Sequence, residues 1–253
     1  MNKIEQIKRA VEEKRLVKII AGIDNFDAEK VKQIISAAEK GGADAVDICA
    51  DENIIEMVLE TTNLPVFVSS IVPEELAKAV RLGVDAVEIG NFDALYKKGM
   101  RISAAEVLEI AEKTIALCER EVFISVTVPG HLEVSEQIDL ARNLENLGVD
   151  LIQTEGSATF TVQDNGAKGL MQQAHVSIAN TIELVRNVNI PVMTASGITS
   201  TTVAMVFAAG ASAVGIGSFV NKLGSALEMT AAVMSVVSAV NRNASSEDRL
   251  YVS

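Results

Sequence analysis

A chain of 253 residues with 34 Asp and Glu against 22 Lys and Arg carries a formal net charge of -12. No basic run interrupts that balance, so neither the electrostatic footprint of a nucleic-acid binder nor attraction to an anionic membrane surface is expected. With 49% hydrophobic and 22% charged residues the chain is globular, and its length asks for one domain rather than two.

Residues 3 to 14 predict a helix. Ile4, Ile7, Ala10 and Val11 form one apolar stripe on it, suited to plug one end of a fold. Leu16 to Gly22 reads as a first strand. Asp27 is placed to cap a helix with Val31, Ile34, Ile35 and Ala38 on one face. The chain then writes Gly42-Ala43-Asp44-Ala45-Val46-Asp47-Ile48-Cys49-Ala50, a phrase that returns as Gly83-Val84-Asp85-Ala86-Val87-Glu88-Ile89-Gly90-Asn91. It recurs as Gly148-Val149-Asp150-Leu151-Ile152-Gln153-Thr154-Glu155-Gly156 and as Gly210-Ala211-Ser212-Ala213-Val214-Gly215-Ile216-Gly217-Ser218. Each copy reads as a helix-ending glycine, a short turn and a short apolar strand. Further apolar runs lie between them, from Val66 to Ser70, Val122 to Val128 and Val192 to Ser196. Strands alternating with helix-period segments predict a parallel sheet, and eight such units close into a barrel. The expected architecture is α/β: a single (β/α)8 TIM barrel over 1–253, with an extra N-terminal helix at 1–14, the barrel at 16–241 and a C-terminal tail at 242–253.

Two connections are long for this class, Asn91 to Ile102 and Gly156 to Gln173. Both follow strands and so belong to the face where such barrels carry their function. The uncharged stretch Met229 to Val240 is shorter than the roughly 20 residues a membrane span needs and reads as a buried helix. Its Val233, Met234, Val236, Val237 and Val240 exceed one barrel-facing stripe, which predicts a homodimer contact. Cys49 and Cys118 are expected to be reduced thiols, and the charged, helix-like start is not a secretory leader.

The runs Val17-Lys18-Ile19-Ile20-Ala21-Gly22-Ile23-Asp24-Asn25-Phe26-Asp27, Val87-Glu88-Ile89-Gly90-Asn91-Phe92-Asp93 and Leu151-Ile152-Gln153-Thr154-Glu155-Gly156 resemble the family of hypothetical chloroplast reading frame twenty-three. That family occurs in algal plastids and cyanobacteria, and the resemblance covers nearly the whole chain. It implies a barrel similar to thiazole synthase and other phosphate-binding barrels, in a cytoplasmic or plastid-stroma setting. It brings no assigned activity and no established catalytic residues.

Chemistry is read from the strand ends. Ser196 and Gly197 end strand seven, and Gly215, Gly217 and Ser218 end strand eight. Loops at these two places bind phosphate in many barrels, because small residues let backbone amides approach an anion. The same residues also suit tight strand-to-helix turns. Strand parity turns Asp47, Glu88, Gln153 and Glu155 inward, and Lys18 with them. Lys18 then has two readings: an ion-pair network with Asp47 and Glu88, or an amine nucleophile forming a Schiff base. Glu155 ends strand six before the longest loop. A carboxylate dried by loop closure suits proton transfer, and the alternative is a supporting role. Asp24 and Asn25 follow strand one, where Asp24 orients a substrate hydroxyl or closes an Asx-turn. Asn91 follows strand four, with the same choice. His131 follows strand five and reaches toward the mouth or is a solvated residue.

No zinc motif, P-loop or Cys/His cluster occurs, so no metal is expected and no cofactor is named. Carboxylates Asp24, Asp47, Glu88 and Glu155 are a weak alternative for a hard cation. The leading expectation is an uncharacterised lyase, isomerase or synthase acting on a small phosphorylated molecule, with Glu155, Lys18 and Asp24 as its catalytic candidates. A non-catalytic metabolite-binding barrel and a structural subunit are the alternatives.

Overall fold

The computed structural model describes residues 2–96, 99–118, 122–156 and 162–250. In chain order the first half holds α1 (Lys3–Glu12), β1 (Leu16–Ile20), α2 (Ala28–Gly41), β2 (Ala45–Cys49), α3 (Glu52–Thr61), β3 (Val66–Ser70), α4 (Pro73–Leu82) and β4 (Ala86–Ile89). The second half holds α5 (Asp93–Tyr96), α6 (Ala104–Cys118), β5 (Phe123–Val128), α7 (Val134–Leu147), β6 (Leu151–Thr154), α8 (Gly166–Asn187), β7 (Val192–Thr194), α9 (Val203–Ala208), β8 (Ala213–Ile216), α10 (Ser218–Asn221) and α11 (Ala226–Leu250). The strands pair in parallel and in sequence order, and β1 closes the barrel on β8 through Leu16 opposite Ala213 and Lys18 opposite Gly215.

The recurring phrase has a physical job at the barrel's bottom. Gly42, Gly83 and Gly148 all end helices in the left-handed conformation that a glycine adopts without strain. The aspartate two positions on then accepts a backbone N–H from the start of the preceding strand: Asp44 from Val17 at 2.9 Å, Asp85 from Val66 at 3.0 Å and Asp150 from Ile124 at 2.9 Å. These clamps satisfy amides that the ladder leaves open at strand ends. The fourth copy has Ser212 at that position.

Alternation along each strand divides the apolar residues into two cores. One fills the space between strands and helices. The other lies inside the barrel, where Leu16, Phe67, Phe123 and Met193 meet Ile7, Ala10 and Val11 of α1. The N-terminal helix therefore plugs the bottom, as its stripe predicts.

Several boundaries differ from expectation. β1 stops at Ile20 and β7 at Thr194, because Gly22 (φ 117°) and Ser196 (φ 74°) turn the chain out of the sheet. The connection expected to reach Gln173 is helical from Gly166. Asp164 pins that first turn, through a Lys168 ion pair at 3.0 Å and a hydrogen bond from Gln172 at 2.8 Å. Residues 157–161 of this connection lie outside the described residues. The tail expected at 242–253 is helix through Leu250, since no proline or glycine interrupts it. The valine stripe of α11 faces inward: Val233, Val236 and Val240 are buried, while Met234 is exposed. Among the described residues, no helix is long and apolar enough to cross a membrane.

Candidate functional site

A cavity of about 320 Å³ opens at the C-terminal ends of β1, β6, β7 and β8. Ser196, Gly197, Gly217 and Ser218 form one wall, Glu155 also lines the cavity, the deeply buried Gln153 lies with Asn91 at the floor, and the exposed Asp24 and Lys222 stand at the rim. The backbone is unusual at two of these places: Asn91 (φ 63°) and Ser196 (φ 74°) are left-handed without being glycine. Such strain collects where a site needs a particular atom presented. The Ser177 hydroxyl of α8 buttresses the turn by donating to the Ser196 carbonyl at 2.7 Å.

The three candidate phosphate glycines have different reasons to be glycine. At Gly197 (φ 75°) a Cβ would lie 2.2 Å from the Gln173 carbonyl oxygen, so the residue lets α8 approach. At Gly215 a Cβ would meet Ile20 Cδ1 at 2.9 Å and Ala195 Cβ at 3.0 Å. Gly215 is therefore a packing residue of the barrel interior and is not part of the cavity wall, contrary to the sequence expectation. At Gly217 a Cβ would have ordinary contacts, the nearest 3.6 Å from the Ile20 carbonyl oxygen. Its bareness serves the cavity rather than the packing. Among the described residues the amides of Gly197, Gly217 and Ser218 have no hydrogen-bond partner.

Beneath the floor sits the ion group. Lys18 Nζ lies 3.2 Å from Asp47 Oδ2 and 3.1 Å from Glu88 Oε2, and all three side chains are sealed from solvent. Its ammonium also stands 4.7 Å from the Phe67 ring centroid. Burial alone would lower its pKa, but Glu88 and then Asp47 outweigh that and hold the ammonium above its ordinary value. An enclosed ammonium held between two carboxylates is the geometry of the ion-pair reading.

The carboxylates do not converge on a cation. Asp47 and Glu88 surround Lys18, Asp24 is exposed at the rim, and Glu155 has partners of its own. Among the described residues no group of three His, Cys, Asp or Glu side chains is placed to hold a metal. Asn25 closes the turn before α2: its amide donates to the Ala21 carbonyl at 3.1 Å, and its oxygen accepts from the Asp27 amide. Cys49 is buried, its thiol pushed up by that burial.

Glu155 is 4% exposed. Its Oε2 accepts from the Tyr96 hydroxyl at 2.6 Å and from the Gly130 amide at 3.3 Å. The Tyr96 oxygen lies 3.1 Å from His131 Nδ1, with the rings edge to face. Because the tyrosine's one proton goes to the carboxylate, Nδ1 of His131 is the donor and Nε2 the acceptor. Burial, then nearby Arg101, lowers the imidazole pKa, so the ring is neutral near pH 7. His131 thus reaches Glu155 through Tyr96 and does not line the cavity itself.

Sequence reading missed Tyr96, Asn221 and Lys222. Tyr96 arrives on the one-turn helix α5, early in the long connection after β4, and its hydroxyl reaches Glu155. Asn221 and Lys222 follow from α10, a helix too short to show periodicity.

The known proteins that resemble this chain divide into sequence relatives and structural neighbours. A family model described as "Protein of unknown function (DUF561)" matches residues 1–246. The "Uncharacterized protein ycf23" of Cyanophora paradoxa is 39% identical over 234 residues, covering 90% of this chain and 92% of that protein. Among solved structures, (S)-3-O-geranylgeranylglyceryl phosphate synthase from Thermoplasma acidophilum, in complex with its substrate sn-glycerol-1-phosphate, superposes with a TM-score of 0.65 at 14% identity, over 96% of this chain and 99% of that one. A 3-hexulose-6-phosphate synthase superposes with a TM-score of 0.62 at 14% identity, over 88% and 99%. At such identities these neighbours speak to the fold, which is shared with several barrels named for phosphorylated substrates. The sequence matches speak to descent, and by them the chain belongs to the ycf23 family, DUF561.

Proposed function

We propose that the chain is an enzyme of the lyase, isomerase or synthase kind acting on a small phosphorylated metabolite. The observation that carries this is one cavity lined by two chemistries. Gly197, Gly217 and Ser218 bring unpartnered amides to its lining, with the hydroxyls of Ser196 and Ser218 and the exposed Lys222 beside them. A phosphate needs several N–H and O–H donors together with a local cation. The local cation matters because a net charge of -12 opposes anion capture at long range.

Glu155 is the acid/base of this reading. Tyr96 and the Gly130 amide fix its Oε2, and His131 fixes Tyr96. An oriented, nearly dry carboxylate at the end of a barrel strand is placed to take a proton from carbon next to a carbonyl and return it. Asp24 holds a ligand hydroxyl at the rim. Lys18, Asp47 and Glu88 act from below by fixing the floor. The setting is cytoplasmic or the plastid stroma, and the protein is a homodimer joined by the exposed Leu227, Ala231 and Met234 of α11.

The test uses two variants. Gly217→Asp has room for its Cβ but puts a carboxylate in the anion wall, so it should remain folded and lose inorganic phosphate binding by calorimetry. Undiminished phosphate affinity would refute the anion wall. Glu155→Gln should keep phosphate binding while abolishing deuterium uptake from D2O into a panel of phosphorylated aldehydes and ketones, read by NMR. Equal uptake in wild type and Glu155→Gln would remove Glu155 from the chemistry.

A further inference from the structure

The cavity's floor holds a second signal that the phosphate reading does not use. Gln153 is 1% exposed and lines the floor, yet its Oε1 has no hydrogen-bond partner among the described residues. Asn221 lines the same cavity, and its Oδ1 is likewise unpartnered and buried. Leaving a buried acceptor unmatched is unfavourable, and each such atom asks what normally donates to it.

Neither amide can turn around to solve the problem internally. The Gln153 nitrogen donates to Asn91 Oδ1 at 3.2 Å and to Thr127 Oγ1 at 3.0 Å. Asn91 is itself fixed, because its nitrogen donates to Asp47 Oδ2 at 3.1 Å and to Ser69 Oγ at 2.7 Å. Thr127 is fixed as well, its hydroxyl donating to Glu88 Oε1 at 2.7 Å. The carboxylates beside Lys18 thus set the direction of every donor above them. The chain of hydrogen bonds ends on Gln153 Oε1, which sits 3.3 Å from where a Gly215 Cβ would be, beside apolar Ile20 and Ala195. Asn221 is fixed separately: its nitrogen donates to the Ile20 carbonyl at 2.7 Å and the Ala21 carbonyl at 3.1 Å, turning its oxygen away from both.

The cavity's lining therefore offers both kinds of partner: donors at Gly197, Gly217 and Ser218, and fixed acceptors at Gln153 and Asn221. We infer that the metabolite is a polyhydroxylated phosphate monoester, a polyol or sugar phosphate, whose hydroxyls donate to Gln153 Oε1 and Asn221 Oδ1 while its phosphate meets the amides of Gly197, Gly217 and Ser218. This rests on the phosphate reading and adds the chemistry of the rest of the ligand. A ligand with an apolar tail, or with a second anionic group there, would leave both acceptors unmatched or repelled.

Calorimetry with matched probes tests it: inorganic phosphate, glycerol 3-phosphate against n-propyl phosphate, and sorbitol 6-phosphate against n-hexyl phosphate. In at least one pair the hydroxylated ester should bind tenfold or more tightly than its deoxy partner. That advantage should shrink toward unity in Gln153→Leu and in Asn221→Leu, each checked for fold by circular dichroism. If inorganic phosphate and all four esters bind but neither pair differs, this inference fails and the anion wall stands. If the alkyl esters bind more tightly, it fails outright. If neither phosphate nor any ester binds, the phosphate reading fails and this inference with it.

Discussion

Lys18 shows how one residue organises a site it does not touch. Its ammonium pairs with two buried carboxylates, and those carboxylates orient Ser69, Asn91 and Thr127. Removing one member of a buried ion group leaves an uncompensated charge and typically costs about 3–5 kcal/mol. Lys18→Met should lower unfolding free energy by about that amount in urea titration, and adding Glu88→Gln should recover part of it. A loss below about 1 kcal/mol would mean that water reaches the group. The pH dependence has a definite sign. A lysine whose folded pKa is raised stabilises fully below the ordinary lysine value and loses that contribution as pH climbs through the folded value. The midpoint of thermal unfolding should therefore show no Lys18-dependent fall until pH exceeds about 10.4. Strand parity made Lys18, Asp47 and Glu88 legible in the sequence, because alternation alone decides which side chains share an interior. Gly215 was not legible. A glycine that admits a neighbour and a glycine that admits a ligand look alike until a Cβ is built on each.

At the scale of elements the fourfold phrase carried most of the fold, since a left-handed glycine, a clamping aspartate and a four- or five-residue strand are local features. What escaped were elements without a period. The single turn α5 brings Tyr96 to Glu155, and the first turn of α8 is held by Asp164 contacts that no repeat announces. The valine-rich α11 was legible as a buried helix, but its partner was not. It packs on α2, where Gly41 lies so close that a Cβ would stand 2.4 Å from Val233 Cγ1. Gly41 is ordinary helical backbone, so the constraint is steric. Gly41→Ala should therefore destabilise through overpacking by about 1–3 kcal/mol, although alanine is the better helix former. Denaturant unfolding that shows a gain in stability would mean α11 does not seat on α2 in solution.

For the whole molecule, the barrel uses α1 to close one end and leaves the other to function. The long helix α11 buries Val233, Val236 and Val240 against the barrel, so the broad apolar face first expected to join two copies is mostly internal. A narrower strip remains. Leu227 is 80% exposed and Met234 53%, one heptad apart and therefore on one side of the helix, with exposed Ala231 between them. Single exposed apolar residues are common on soluble proteins, but two large ones aligned with a small residue between form a self-complementary ridge, the kind of surface a twofold axis can pair with itself. Light scattering at micromolar concentration should give twice the 26.9 kDa chain mass, and Leu227→Glu with Met234→Glu should reduce it to one. Both substituted side chains point away from the core, so the variant should keep the unfolding midpoint of an intact barrel. A wild-type chain that scatters as a monomer would remove the dimer, and a double variant that still scatters as one would move its interface to another face.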